Sequence, residues 1–294
     1  MASCKMVRKQ HSPDIKHMTI RRVLIIFLIS LTFLGLISKD GWAAKHKSKK
    51  TYRVSARSAI LMDADNQKQL YGKNVHARIF PASTTKVMTA LLVMENLPLN
   101  KIVMVSKEAT WVQPTKAGLM TGEQYKVSDL LYVAIMRSSN DASVVLAQAV
   151  AGSESNFLKM MNKRAYQLGA RHTKFANSNG LPTKTTQYST AYDMSLIFKQ
   201  ALKYPFFKDL LHLKNKTIMS ESQRTIPIKS YNKLLWKNWK REIAGKTGYT
   251  RQARHCFVGY FEDKKKVYIV AVFGCNRRWE DIRYIVSKYG KTRL

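Results

Sequence analysis

Two rhythms of hydrophobic and polar positions divide the chain. Between Ala56 and Asn74, the stretch SAILMDADNQKQLYGKN reads as strand, polar turn at Asp63 to Asn66, and strand. From Pro81 the period becomes helical. Val87, Ala90, Leu91 and Met94 fall on one face, and the element stops at Asn96 ahead of Pro98. KIVMVSKEA then reads as a short strand and GLMTGEQYKV as a loop or hairpin. Ser128 is placed to cap a helix, DLLYVAIM, and Asp141 to cap the next, which Gly152 ends. In NFLKMMNKRAYQLG, residues Phe157, Met160, Met161, Ala165 and Leu168 keep helical spacing up to Gly169, the methionines serving as core filler. Thr190 and Asp193 start a further helix in capping-box fashion, ending before Pro205. Residues 128–204 therefore read as a contiguous all-α subdomain. The last third returns to β: HCFVGYFEDKKKVYIVAVFGC is a hairpin turning near Asp263 to Lys266, followed by an amphipathic helix from Arg278 to Tyr289 that ends at Gly290.

The N-terminus has a different pattern. A polar, basic stretch with Lys16, Arg21 and Arg22 precedes the uninterrupted apolar run Val23 to Ile37. As a helix that run spans roughly 22 Å, short of the ~30 Å hydrocarbon core of a bilayer. The small residues Gly41, Ala43 and Ala44 follow, which is a signal-peptide layout. Residues 1–44 are thus expected to be a signal peptide cleaved near Ala43 or Ala44, or else a short retained anchor. Either way the body is exported, to the periplasm or the extracytoplasmic face of the membrane. Residues 45–54, opening with KHKSKK, read as a basic linker, and residues 55–294 as one globular domain.

At 294 residues and 45% hydrophobic, the chain can bury a full core. It carries a net charge of +33, of which +5 lies in residues 1–44, leaving +28 for the rest. Such a balance invites a nucleic-acid reading. Export argues against it, and no zinc-finger spacing or aromatic-basic RNA motif is present. Attraction to an anionic membrane or wall surface is the simpler expectation. The sequence has no CxxC, HExxH or EF-hand loop and its histidines are scattered, so neither a metal nor another cofactor is expected. Cys256 and Cys275 fall on neighbouring predicted strands, where the register decides whether a cross-strand disulfide fits.

Candidate chemistry begins with Ser83 and Lys86. Three residues apart at the start of a helix, they share a face, so a hydroxyl and an amine can meet. Serine needs a base, and a lysine held out of water loses its proton near neutral pH because burial disfavours the ammonium form. Taken alone, Ser-x-x-Lys is equally a capping serine with an exposed lysine. Two further motifs follow in order. Ser138-Ser139-Asn140 lies in a loop between two helices, and Lys246-Thr247-Gly248 opens a strand. Glycine weakens a strand unless a backbone must come close, here a peptide guest along the strand edge.

With these three motifs the chain resembles the D-alanyl-D-alanine carboxypeptidases, the low-molecular-mass penicillin-binding proteins. The likeness continues through SNDASVVLAQAVAG, MNKRAYQLGA, FANSNGL, YSTAYDM and FGCNRRWEDIRYIVSKYG, covering nearly everything from Ala56 to Gly290. It implies an α+β fold of the β-lactamase and DD-peptidase type, an antiparallel sheet flanked by helices with an all-α subdomain. It also implies an activity, removal of the terminal D-alanine from peptidoglycan stem peptides, with β-lactams as covalent inhibitors. By the same likeness Ser83 is the nucleophile, Lys86 its proton acceptor, and Ser138 the relay to the leaving amine. Asn140 would hold the substrate amide, Lys246 and Thr247 the terminal carboxylate beside Gly248, and the N–H groups of Ser83 and Tyr249 the oxyanion. One departure stands out: Ala253-Arg254 replaces the family's usual Ala-Gly, and a bulky cation there is expected to alter substrate reach.

Three rivals share these motifs. A class A β-lactamase needs a glutamate in an ExxLN-like loop, and the corresponding stretch GARHTKFANSNGLP has no acid. A peptidoglycan D,D-endopeptidase uses the same residues. A catalytically dead penicillin-binding wall module would keep the fold, against which stand the intact Ser83, Lys86 and Lys246.

Overall fold

The computed structural model describes residues 52–292 and 294; the expected signal or anchor segment and most of the basic linker lie outside them. Its centre is a five-stranded sheet built from β1 (Ser58–Asp63), β2 (Gln69–Lys73), β7 (Ala244–Thr250), β8 (Arg254–Asp263) and β9 (Lys266–Cys275). The order is β2-β1-β9-β8-β7 and every neighbouring pair is antiparallel. This is the α+β architecture that the resemblance implies. Strand β1 is buried on both faces and so reads as a continuous apolar run: Ile60 and Met62 face one core, Ala59 and Leu61 the other. One face is covered by α8 (Arg278–Tyr289) through Ile282, Ile285 and Val286. Asp281, fully buried on that helix, accepts hydrogen bonds from Tyr52 Oη, Ser55 N, Ser55 Oγ and Ala56 N at 2.6–2.9 Å. The start of the described chain is thereby tied to the back of the sheet.

The other face carries the remaining helices. A 3-10 turn, Ala82–Thr85, leads into α1 (Lys86–Asn96), which packs on α3 (Val127–Met136), α4 (Asn140–Ala151) and α5 (Glu154–Gln167). Between α1 and α3 lie β3 (Ile102–Met104), the short α2 (Lys107–Thr110) and β4 (Gln124–Lys126), the last pairing with β3. Helix α6 (Ala191–Ala201) packs on the sheet as well as on α1, so the helical span is divided between the sheet and the bundle. Thr190 caps α6 by accepting from Asp193 N, whereas the Asp193 carboxylate turns to His172 N and Thr173 Oγ1. Pro205 ends nothing further; as the first residue of α7 (Pro205–His212) it opens a new helix.

Some local readings are corrected. Helix α3 begins at Val127, capped by Lys126 without a side-chain bond, so Ser128 lies inside it. Asp141 does not cap α4; Ser139 is the N-cap residue, and the buried carboxylate gathers Ala117 N, Gly118 N and Leu119 N instead. Cys256 and Cys275 are free and buried. A register shift between His255 and Phe257 sets His255, not Cys256, opposite Cys275. The hairpin of β5 (Asn215–Met219) and β6 (Thr225–Lys229) was not foreseen: only Ile218 of β5 is buried, and β6, although Ile226 and Ile228 alternate with exposed positions, carries Pro227 at its centre.

Candidate active site

Ser83 is the one residue from Pro81 to Val93 that is not buried. The turn bearing it is strained, since Ala82 takes φ +48°, a left-handed value uncommon for a residue with a Cβ. The edge strand β7 runs beside this turn. A Cβ on Gly248 would lie 3.1 Å from Ser83 N and 3.2 Å from Pro81 O. The third-motif glycine thus leaves room for the chain's own nucleophile turn, into which any Cβ would press closely.

Lys86, fully buried, places Nζ 3.2 Å from Ser83 Oγ, 2.7 Å from Asn140 Oδ1 and 2.7 Å from the Asn179 carbonyl oxygen. Burial above all, and next the positive charge of Lys246, hold its pKa well below the ordinary lysine range; Asp141 pulls weakly the other way. A neutral amine has two N–H groups and one lone pair. Asn140 Oδ1 and Asn179 O can only accept, so in the neutral form they would take both N–H groups and leave the lone pair towards the Ser83 hydroxyl, to which the ammonium form donates. Asn140 also donates to Pro114 O. Its Oδ1 and one of its two side-chain N–H groups are thus engaged inside the protein, with the second N–H left over.

On the far side of the cleft Ser138 sits at φ +64°. Its Oγ accepts from Lys246 Nζ at 2.9 Å, and the same ammonium donates to Thr247 O at 2.8 Å. Lys246 is 1% exposed, and burial, with the charge of Arg278, pushes its pKa down to about 7. Thr247 pairs with Phe257 and exposed Tyr249 with His255 on β8. Of the eight predicted site residues, hydrogen bonds and close approach join Lys86 with Ser83 and Asn140, Lys246 with Ser138, and Gly248 with the Ser83 turn, while Thr247 and Tyr249 neighbour Gly248 on β7.

Two participants were missed. The Asn179 carbonyl is a backbone group and has no residue signature. Arg278 donates to Gly248 O and Cys256 O, while its buried Nε has no partner. Burial lowers its pKa to about 10. Two adjacent arginines at the start of a helix oppose the macrodipole, a local conflict that can point to function. Arg254 adopts φ +57°, which is why glycine is favoured there, and its side chain donates to Asn276 Oδ1.

Comparison with known proteins agrees with this geometry. The family described as D-alanyl-D-alanine carboxypeptidase matches residues 44–277. The chain is 35% identical over 263 residues to the D-alanyl-D-alanine carboxypeptidase DacF of Bacillus subtilis, covering 87% of this chain and 67% of that protein. It is 30% identical to a D-alanyl-D-alanine endopeptidase of Pseudomonas aeruginosa, over 70% of this chain and 66% of that one. Among solved structures, the Streptomyces K15 DD-transpeptidase superposes with a TM-score of 0.76 at 26% identity, over 82% of this chain and 99% of its own.

Proposed function

The chain belongs to the D-alanyl-D-alanine carboxypeptidase family, and we propose that it is a serine-type carboxypeptidase removing the terminal D-alanine from peptidoglycan stem peptides. The observation that carries the reading is the buried Lys86 amine, whose Nζ lies 3.2 Å from Ser83 Oγ while Asn140 Oδ1 and the Asn179 carbonyl take its other two positions. Ser83 Oγ attacks the carbonyl of the D-Ala-D-Ala bond as its proton passes to Lys86 Nζ. The developing oxyanion is held by the N–H groups of Ser83 and Tyr249, worth about 3 kcal/mol for each donor in comparable hydrolases. Collapse of the tetrahedral intermediate leaves an acyl-enzyme, with Ser138 passing a proton to the departing amine. Water then attacks the acyl carbonyl and frees Ser83. The substrate's terminal carboxylate lies against Thr247 and Ser138, in the field of Lys246 and Arg278.

A β-lactam mimics the D-Ala-D-Ala end and should acylate the same hydroxyl. Labelled penicillin is expected on Ser83 and absent from Ser83→Ala; label on another residue by mass spectrometry would overturn the assignment. A second reading, cleavage of cross-links by a D,D-endopeptidase, is favoured by the likeness to the Pseudomonas aeruginosa protein. Wild-type rates on a pentapeptide stem and a cross-linked dimer at equal concentration separate the two, and faster cleavage of the dimer would promote the endopeptidase. Residues 45–294, which carry +28, are proposed to act outside the cytoplasm, against an anionic wall or membrane surface. Loss of export on deleting residues 1–44 would support the first half, and salt-insensitive binding to wall sacculi or anionic vesicles would refute the second.

A further inference from the structure

We propose that Glu154 is a positioning residue for acylation: through Ser178 it holds the Asn179 carbonyl against Lys86 and so aims the lysine's lone pair at Ser83. This rests on the reading of Lys86 as the base. The segment 177–181 contains no charged residue and contributes one group to the site, the Asn179 oxygen 2.7 Å from Lys86 Nζ. Its internal bonds, Asn177 Oδ1 from Gly180 N and Asn179 Oδ1 from Leu181 N, shape the turn without attaching it to the body.

Ser178 provides that attachment. It is fully buried, and its N and Oγ both donate to Glu154 Oε1, at 2.8 and 2.6 Å. Its carbonyl oxygen accepts from Thr89 Oγ1 at 2.6 Å. Thr89 lies three residues beyond Lys86 on α1, so the peg is fixed to the helix of the base on one side and to α5 on the other.

The plain alternative is that Glu154, as the first residue of α5, only offsets the helix dipole. That role needs no partner, and Ser153 already caps the helix by accepting from Asn156 N. Instead the carboxylate reaches Ser178, 24 positions along the chain, and takes two donors on one oxygen.

If the peg loosens, Asn179 O recedes, one N–H of Lys86 is released and the amine turns freely about its last bond. Water also gains a path to Nζ. Burial is the main cause of the lysine's lowered pKa, so hydration moves it up. The other charges facing the amine, Lys246 on β7 and Asp141 on α4, are unchanged by the substitution.

The test is the acylation rate of purified full-length enzyme by a chromogenic β-lactam across pH, normalised to titrated active sites. Glu154→Ala should slow acylation roughly ten- to a hundred-fold, in line with the cost of misplacing a catalytic group by about 1 Å. The acidic limb of its profile should also move to higher pH. Glu154→Gln, which still offers an acceptor oxygen to both Ser178 donors, should restore most of the rate and the wild-type limb. A merely structural loss would lower the melting temperature and the number of active sites, with the limb in place. That result, or a wild-type rate per active site, overturns the proposal. Should Glu154→Ala not fold, Thr89→Val frees the other side of Ser178 and must shift the limb in the same direction, or the proposal fails. Failure of the underlying reading looks different, since the wild-type enzyme itself would then not be acylated at Ser83.

Discussion

Raising the pH from 6 to 9 should switch off recognition of the substrate's carboxylate, because the cation that supplies the field is one the fold has already weakened. Lys246 is 1% exposed, and burial, with Arg278 nearby, brings its pKa to about 7. From that value the ammonium fraction is about 90% at pH 6 and about 1% at pH 9. A charge-assisted contact contributes roughly 1.5 to 3 kcal/mol, which is about ten- to a hundred-fold in kcat/KM. The expected profile for release of D-Ala from a free-acid stem peptide is therefore a descending limb centred near pH 7, with a loss of that size by pH 9. The quantity kcat/KM reports the free enzyme, the state to which the value of about 7 applies.

Other titrations do not imitate this limb. Lys86 must lose its proton to work, so it gives a rise with pH. Arg278, lowered to about 10, stays charged through pH 9. His255 is lowered from 6.5 by burial and so changes state earlier. Two controls isolate the charge at Lys246. A C-terminally amidated analogue should lose much less over the same range, and Lys246→Arg, whose guanidinium keeps its proton, should be flat between pH 7 and 9 whatever its absolute rate. Parallel limbs on the free-acid and amidated substrates would refute the reasoning, as would an unchanged limb in Lys246→Arg.

Lys86→Arg removes the proton acceptor, so covalent β-lactam labelling should vanish while circular dichroism stays near wild type; labelling at a near wild-type rate would exclude Lys86 as the base. Gly180→Ala should cost at least about a hundred-fold in acylation rate, because φ is +85° and the new Cβ would lie 1.9 Å from Ala82 O, displacing the nucleophile turn; a near-normal stopped-flow rate would show that the loop does not press on it. Asp281→Ala strands Ser55 N and Ala56 N without their acceptor, so urea unfolding should report a loss of about 3 kcal/mol at roughly 1 to 3 per unmet buried group, and a change below about 1 kcal/mol would contradict the clamp.

Much of the site was legible because its chemistry is carried by side chains at fixed spacings. Ser83 and Lys86 share a helix face by arithmetic alone, and the final hairpin and α8 appear with the predicted bounds because their apolar period is unbroken. What stayed hidden was of two kinds. Asn179 acts through a carbonyl that every residue owns, so only the folded loop reveals it. Asp141 was read locally, as a helix cap, whereas its carboxylate also gathers the backbone of a loop more than 20 residues upstream, beginning at Ala117. Capping rules weigh only the nearest turn of chain, and a buried carboxylate will leave that turn for three backbone donors elsewhere.

The electrostatics were least legible because they are a property of depth. Lys86, Lys246 and Arg278 are three basic side chains drawn out of water around one cleft, with Asp141 the acid that acts on Lys86. Three full charges there would be prohibitively costly, and the fold relieves the conflict by weakening the bases. Burial lowers Lys86 first of all, and the charge of Lys246 near it lowers it further. Linkage is reciprocal. An anionic substrate end that settles near Lys246 favours its ammonium form, and that restored charge disfavours a proton on Lys86. The carboxylate brings its own negative charge beside the same amine, so the ion pair that it forms with Lys246 leaves the field at Lys86 nearly unchanged, and burial remains the main cause that keeps Lys86 available as a base.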